Sequence, residues 1–425
     1  MQALIESKLP KLPESIFTTM TMLARKEGAI NLGQGFPDFS MDERLQELVF
    51  RAMREGHNQY AHSNGNPLLR EVLAEKINHL HGFRPDPESE ITITPGGTYA
   101  ISNALTAVLR EGDEVIVFEP CFDSYLPNIR IMGAVPVCIS LEHPSYRIPW
   151  NKVREKITAR TRMILINSPH NPSGTVLSAE DMAELKSIVS GTNILIMSDE
   201  VYEHLIFDGR RHESILRYPE LYARSFVAFS LGKVLHCTGW KIGYCVAPPA
   251  FTQEFRNHHQ FNVFSVSSAM QQGIAEYLQE PSVYLSLPEF FQRKRDLFLQ
   301  GLEGTVFRPL PTTGSYFQCV EFPAESVSSD RQFAEHLIRE YKVASIPLSA
   351  FTPTAAITLC CAFVLPKRTK PCRLRLKNCG KFRPLANLVP STTAPREGAT
   401  RCGTAGGTGA KHPTECSRRQ NEGTP

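Results

Sequence analysis

A lysine placed directly after a buried strand can do carbonyl chemistry. Residues 225–243, SFVAFSLGKVLHCTGWKIG, contain such a lysine. The run SFVAF has the length and the aromatic and β-branched content of a buried strand. Small residues follow at Ser230 and Gly232, and then comes Lys233. Desolvation at such a place disfavours the ammonium form, lowers the pKa and frees an amine to attack a carbonyl carbon. The usual product is a Schiff base. Lys241, eight residues further on in GWKIG, offers a second cation suited to a phosphate. Most lysines after strands are solvated surface groups, so the rest of the chain has to supply the other half of the chemistry.

The elements that would position these lysines can be read from the apolar pattern. From residue 91 the chain alternates strand and helix, with apolar runs ITIT (91–94), VIVFEP (115–120), VPVCI (135–139), MILIN (163–167), ILIM (194–197) and SFVAF (225–229). This alternation predicts a mainly parallel sheet with helices on both faces. Ligands of such sheets lie beyond the carboxyl ends of the strands. The unusual residues fall there: Gly96, Gly97 and Thr98 after ITIT, Phe122 after VIVFEP, Asn171 after MILIN, Asp199 after ILIM and Lys233 after SFVAF. Upstream, helical spacing predicts helices over 14–28 and 42–55 and a third after the turn Asn64–Pro67, with the Gly- and Pro-rich loop NLGQGFPDF (31–39) between the first two. Downstream of residue 275, helix and short strand alternate as in a smaller α+β domain. The expected division is 1–40, an N-terminal segment packed with the small domain; 41–275, the large domain; 276–351, the small domain; and 352–425, an aberrant tail.

Each post-strand residue meets a need of pyridoxal 5′-phosphate (PLP). Its phosphate wants backbone N–H groups at a helix start, as Gly96-Gly97-Thr98 would provide. Its ring nitrogen wants a carboxylate, so that the charged ring can act as an electron sink; Asp199 in SDEVY is the candidate. Its phenolic oxygen wants donors, and Asn171 in SPHNPSG and Tyr202 in DEVY fit. Phe122 is offered to the ring face.

With NLGQGFPDF, QYAHSNGNPLLREVL, NSPHNPSG, SDEVYEHLIFDG and SLGKVLHCTGWKIGYCVAP in this order, the chain resembles the fold-type I, class I PLP-dependent aminotransferases. The branch is that of methionine and kynurenine aminotransferases, and the likeness spans roughly residues 10–351. The resemblance implies that Lys233 carries the cofactor and moves a proton between substrate Cα and cofactor C4′. Asp199 pairs with the ring nitrogen, Asn171 and Tyr202 with the phenolic oxygen, and Phe122 stacks on the ring. Gly97, Thr98, Ser230 and Lys241 hold the phosphate, joined by Tyr60 from a neighbouring subunit of a homodimer with shared sites. Gly33 and Asn171 help to place the substrate carboxylate. No metal is implied. One departure is Tyr99, where the family usually has an acidic residue.

The larger departure is at the C-terminus. The family's arginine for the substrate α-carboxylate, in an R-hydrophobic-small-F setting, does not follow IPLSAF. Thr352–Pro425 hold 13 Lys and Arg against 3 Asp and Glu, while the first 351 residues hold 33 against 40. A basic tail ordinarily suggests nucleic acid. A one-nucleotide change of reading frame after Phe351 explains it without that partner, because permitted codons then regenerate a string containing RFCF, with the arginine across the codons of Cys361 and Ala362. Organisation is expected to dissolve beyond Phe351, with disorder over 391–425. The eleven cysteines show neither metal-ligand nor disulfide spacing, and no apolar run reaches membrane-spanning length. The N-terminus does not read as a signal peptide, so a cytoplasmic protein with reduced thiols is expected.

The function expected is amino-group exchange between an amino acid with an apolar, thioether or aromatic side chain and a 2-oxo acid, impaired by the missing arginine. The alternatives are a PLP-dependent β-lyase of cysteine conjugates, or an inactive PLP-binding product of the frameshifted gene.

Overall fold

Strands form where short apolar runs end in turn residues, and seven of them assemble one sheet. In the computed structural model, which describes residues 7–9, 14–323, 329–352 and 359–365, these are β1 (Ile91–Thr94), β2 (Glu114–Glu119), β3 (Val135–Ser140), β4 (Thr161–Asn167), β5 (Leu195–Asp199), β6 (Ser225–Ser230) and β7 (Gly243–Val246). Their order is β1-β7-β6-β5-β4-β2-β3. Strands β2 to β6 pair in parallel, and β7 runs antiparallel to both β6 and β1. The sequence alternation picks out β1 to β6 but not β7, whose GYCV is short and is preceded only by the brief helical turns Leu231–Val234 and Thr238–Trp240.

Strands β1, β2 and β5 are buried along their whole length. Such continuous burial requires cover on both faces. Two apolar clusters provide it, one containing Ile116, Ile164, Ile196 and Val227, the other Val115, Leu165, Met197 and Ala228. Alternate residues of the same strands thus feed opposite clusters, as the two-residue period of a strand demands.

The helices before the sheet are α1 (Ile16–Lys26), α2 (Glu43–Arg54) and α3 (Pro67–His81). Asn66 caps α3 by accepting from the N–H of Leu68, with Pro67 at the first helical position and Gly82 in the left-handed region at the end. On α3, Lys76 is buried and pairs at 2.7 Å with the buried Glu203. The helix α4 (Gly97–Val108) starts directly after β1.

A second, antiparallel sheet contains β8 (Arg308–Pro309), β9 (Phe317–Glu321), β10 (Ile346–Pro347) and β11 (Cys360–Val364), in the order β10-β11-β9-β8. The strand β11 departs from the expectation that organisation ends at Phe351. CCAFV is apolar throughout, is fully buried, and pairs with five residues of β9, from Phe317↔Val364 to Glu321↔Cys360. Burial between neighbours, not periodicity, makes it a strand. The disorder expected over 391–425 lies outside the described residues. Among the described residues no helix is long and apolar enough to cross a membrane.

Candidate active site

The carboxyl ends of the central strands border a cavity of about 270 Å³. Lys233, Asp199, Asn171, Tyr202, Phe122, Gly97, Thr98, Ser230 and Lys241 all line it. Strand register explains the convergence. Asn167 stands opposite Asp199, Asp199 opposite Ala228, and Ser230 opposite Gly243.

Lys233 lies in the single helical turn Leu231–Val234 that follows β6. Its Nζ donates to the Gly35 carbonyl at 3.0 Å and sits 5.4 Å and 5.5 Å from the ring centroids of Tyr202 and Tyr316. The Tyr316 hydroxyl donates to the Lys233 backbone carbonyl at 2.7 Å, fixing the turn. Desolvation, aided by the Lys241 charge, lowers the Lys233 amine from 10.5 to about 8, against the pull of Asp199.

Asp199 ends β5 and is buried. Desolvation raises its carboxyl to about 6, while the Tyr125 hydroxyl and the Val201 N–H, donating at 2.5 Å and 3.2 Å, oppose the rise. Asn167, the last residue of β4, ties two site residues together: its Nδ2 donates to the Asp199 carbonyl at 2.8 Å, and its Oδ1 accepts from the Asn171 N–H at 2.7 Å. Asn171 Oδ1 is itself buried without a partner. Burial, with Asp199 second, pushes the Tyr202 phenol far up, so it remains a protonated donor at neutral pH.

The other end of the cavity is shaped by close backbone approach. A Cβ on Gly97 would come within 2.6 Å of Val201 Cγ1, and one on Gly243 within 2.5 Å of the Phe229 carbonyl oxygen. Gly96 has φ +89°, and a Cβ there would lie 3.4 Å from Lys241 Nζ. The free N–H groups at the start of α4 and the Lys241 ammonium therefore face one small space, suited to a dianionic phosphate.

Two expected residues stand apart. Gly33 does not line the cavity; Asn31 Oδ1 accepts its N–H at 2.9 Å, and a Cβ on it would meet Ile346 Cδ1 at 2.9 Å, so it packs against β10. Its neighbours Gln34, Gly35 and Phe36 reach the cavity instead. Tyr60 is 80% exposed, its ring 5.0 Å from that of Phe264.

Sequence reasoning did not find Asn167, Tyr125, Tyr316 or Phe317. Asn167 carried a faint signal as the polar last residue of MILIN. The other three are aromatic residues in apolar surroundings, indistinguishable by type from core.

A lysine with a lowered pKa, a buried carboxylate opposite it, an unpartnered amide and a glycine-built anion cradle are the donor set that PLP requires, and the fold is that of the fold-type I transferases. The match to the family model for aminotransferase class I and II covers residues 27–370, and the chain belongs to that family of PLP-dependent aminotransferases. It is 43% identical over 362 residues to methionine aminotransferase of Escherichia coli (strain K12), covering 84% of this chain and 94% of the relative. It is 31% identical to human kynurenine–oxoglutarate transaminase 1, covering 77% and 86%. A solved Escherichia coli structure, described as having a methionine aminotransferase function, superposes with a TM-score of 0.86 at 40% identity, covering 89% of this chain and all of the other.

Proposed function

We propose that this aminotransferase takes the amino group from a methionine-like amino acid, with a thioether or apolar side chain, and passes it to a 2-oxo acid. The observation that carries the reading is that Lys233 and Asp199 line one cavity whose lining also includes Phe17, Phe36 and Phe317. An apolar wall of this kind favours a side chain without charge. The 43% identity to a methionine aminotransferase supports the same substrate class.

PLP, when bound, supplies the electron sink that lets a substrate Cα–H be broken. The chain's residues would act around it as follows. Lys233 attaches the cofactor through its Nζ and afterwards, as a free amine, takes and returns the Cα proton. Asp199 keeps a proton on the ring nitrogen, held in place by Asn167 and Tyr125. Asn171 and Tyr202 donate to the phenolic oxygen, and Phe122 covers the ring. The α4 start at Gly97 and Thr98, with Ser230 and Lys241, binds the phosphate. Asn171 and the backbone near Gly33 place the substrate carboxylate.

We also place the working enzyme as a homodimer, in which the exposed Tyr60 reaches the phosphate in the other subunit's cavity. The exposed Phe264, its ring against that of Tyr60, supports burial of that surface. The frame change after Phe351 is retained as a proposal that resequencing of the gene tests. Its expected consequence is Ala362 at the place of the family's arginine.

The function is tested by incubating the PLP-loaded protein with methionine and a panel of 2-oxo acids. Formation of 4-methylthio-2-oxobutanoate that depends on the acceptor supports it. Release of pyruvate and ammonia from cysteine conjugates without an acceptor would instead assign β-lyase chemistry. Lys233→Ala is expected to abolish turnover and to leave no cofactor bound covalently after borohydride reduction and denaturation.

A further inference from the structure

Outside the active site, three metal-ligating side chains from distant parts of the chain converge. His143 lies in the loop after β3, Glu321 ends β9 and Cys360 begins β11. Glu321 and Cys360 are directly paired across the two antiparallel strands, so their side chains share a face. His143 meets them from the other sheet's side of the fold: its Nε2 is 2.8 Å from Glu321 Oε1 and 3.9 Å from Cys360 Sγ. All three ligand atoms lie within 4.8 Å of one another. A second observation points to the same spot. Tyr146 is 4% exposed, and its hydroxyl is buried beside the Cys360 thiol, within hydrogen-bonding reach of it.

We propose that His143, Glu321 and Cys360 bind a zinc-class divalent cation, with the fourth position open to water. A tetrahedral centre with bonds of about 2.0–2.3 Å needs its ligand atoms about 3.3–3.7 Å apart. The His143–Glu321 contact must therefore open by about half an ångström, the His143–Cys360 distance close by a few tenths, and the Glu321–Cys360 pair, within 4.8 Å, close by up to about an ångström, all by side-chain rotation. One nitrogen, one oxygen and one sulfur donor form a borderline-soft set that favours zinc over magnesium or calcium. Cys360 binds as the thiolate, its proton going to solvent, and the Tyr146 hydroxyl beside it can donate to that thiolate. Arg308 pairs with the second carboxylate oxygen, Oε2, of Glu321, leaving Oε1 for the metal. The partial exposure of His143 gives the ion a way in. The bound metal would tie β9 and β11 to the loop after β3, adding binding free energy to the folded state.

The test uses the full-length, PLP-loaded protein, stripped of metal by chelation and titrated with zinc chloride alone. Zinc is expected to bind and to raise the unfolding temperature, and magnesium is not. Because other cysteines can also bind zinc, the measurement is repeated on His143→Gln and on Cys360→Ser. Each is expected to lose one equivalent of bound zinc, the thermal shift and, in cobalt titration, one thiolate-to-metal absorption band. His143→Gln lies in a partly exposed loop and is expected to fold even if Cys360→Ser does not. Unchanged zinc stoichiometry and thermal shift in His143→Gln would overturn the proposal.

Discussion

The Tyr125 hydroxyl donates to Asp199 Oδ2 across 2.5 Å, deep behind the carboxylate that the cavity exposes to Lys233. Desolvation drives Asp199 upward and this bond drives it down, so Tyr125 decides how much of the carboxylate is ionised near neutral pH. Tyr125→Phe keeps the buried ring and removes the donor. A hydrogen bond to a charged group contributes about 1.5–3 kcal/mol. The variant is expected to fold and to bind PLP about tenfold or more weakly, by equilibrium titration, with the ionisation of Asp199 displaced to higher pH. An unaltered affinity and pH profile would remove Tyr125 from the cofactor's support.

The Lys233 amine is nucleophilic only when neutral. Its pKa is depressed to about 8, so the reactive fraction is small at pH 6, half at about pH 8, and nearly complete above pH 9. The rate at which cofactor-free protein incorporates PLP, followed by absorbance, is expected to climb through that window. Lys241 is the larger of the two charges acting on the amine, and it lowers the pKa. Lys241→Ala is therefore expected to move the midpoint upward as well as to weaken phosphate binding. A midpoint that stays put would show that Lys241 does not act on the amine.

Ala362 stands opposite Cys319 on β9, two residues from Phe317, so it shares the sheet face that Phe317 turns to the cavity. Cys319 on that face reaches the carbonyl of Pro172, next to Asn171. Ala362→Arg is expected to supply a carboxylate clamp and lower KM for methionine about 10- to 100-fold, the size of a charge-assisted bidentate contact. Circular dichroism checks that the buried arginine is tolerated. A folded variant with unchanged KM would place the carboxylate elsewhere.

Tyr60 and Phe264 meet edge to face at the surface, and Phe261, three residues before Phe264 in the chain, is 84% exposed. If this surface is shared between subunits, sedimentation will give a dimer mass. Tyr60→Phe is expected to keep that mass and to speed PLP release severalfold. Phe261→Asp is expected to shift the mass toward monomer, since an unpaired charge would be buried in the contact. A monomeric wild type would end the shared-site reading.

Local sequence settled much of this site because a parallel sheet turns a position in the chain into a position in space. Any residue just past ITIT, ILIM or SFVAF must appear at one edge, which is why Gly97, Asp199 and Lys233 could be read without coordinates. Tyr125 could not, because nothing in CFDSY says that its hydroxyl crosses to a strand 74 residues away. Strand β11 was equally silent: CCAFV has no period, and only the neighbouring β9 and β10 make it a strand.

The sequence by itself determined the chemistry offered, namely a strand-end lysine, a strand-end carboxylate and a glycine-built turn at a helix start. The tertiary structure alone decided what surrounds them: the hydroxyl that tunes Asp199, the packing that keeps Gly33 out of the cavity, and the meeting of His143, Glu321 and Cys360. The physical reason is range. Periodicity and turn chemistry act over a few residues, whereas desolvation and coordination depend on atoms that are brought together only when the whole chain has packed.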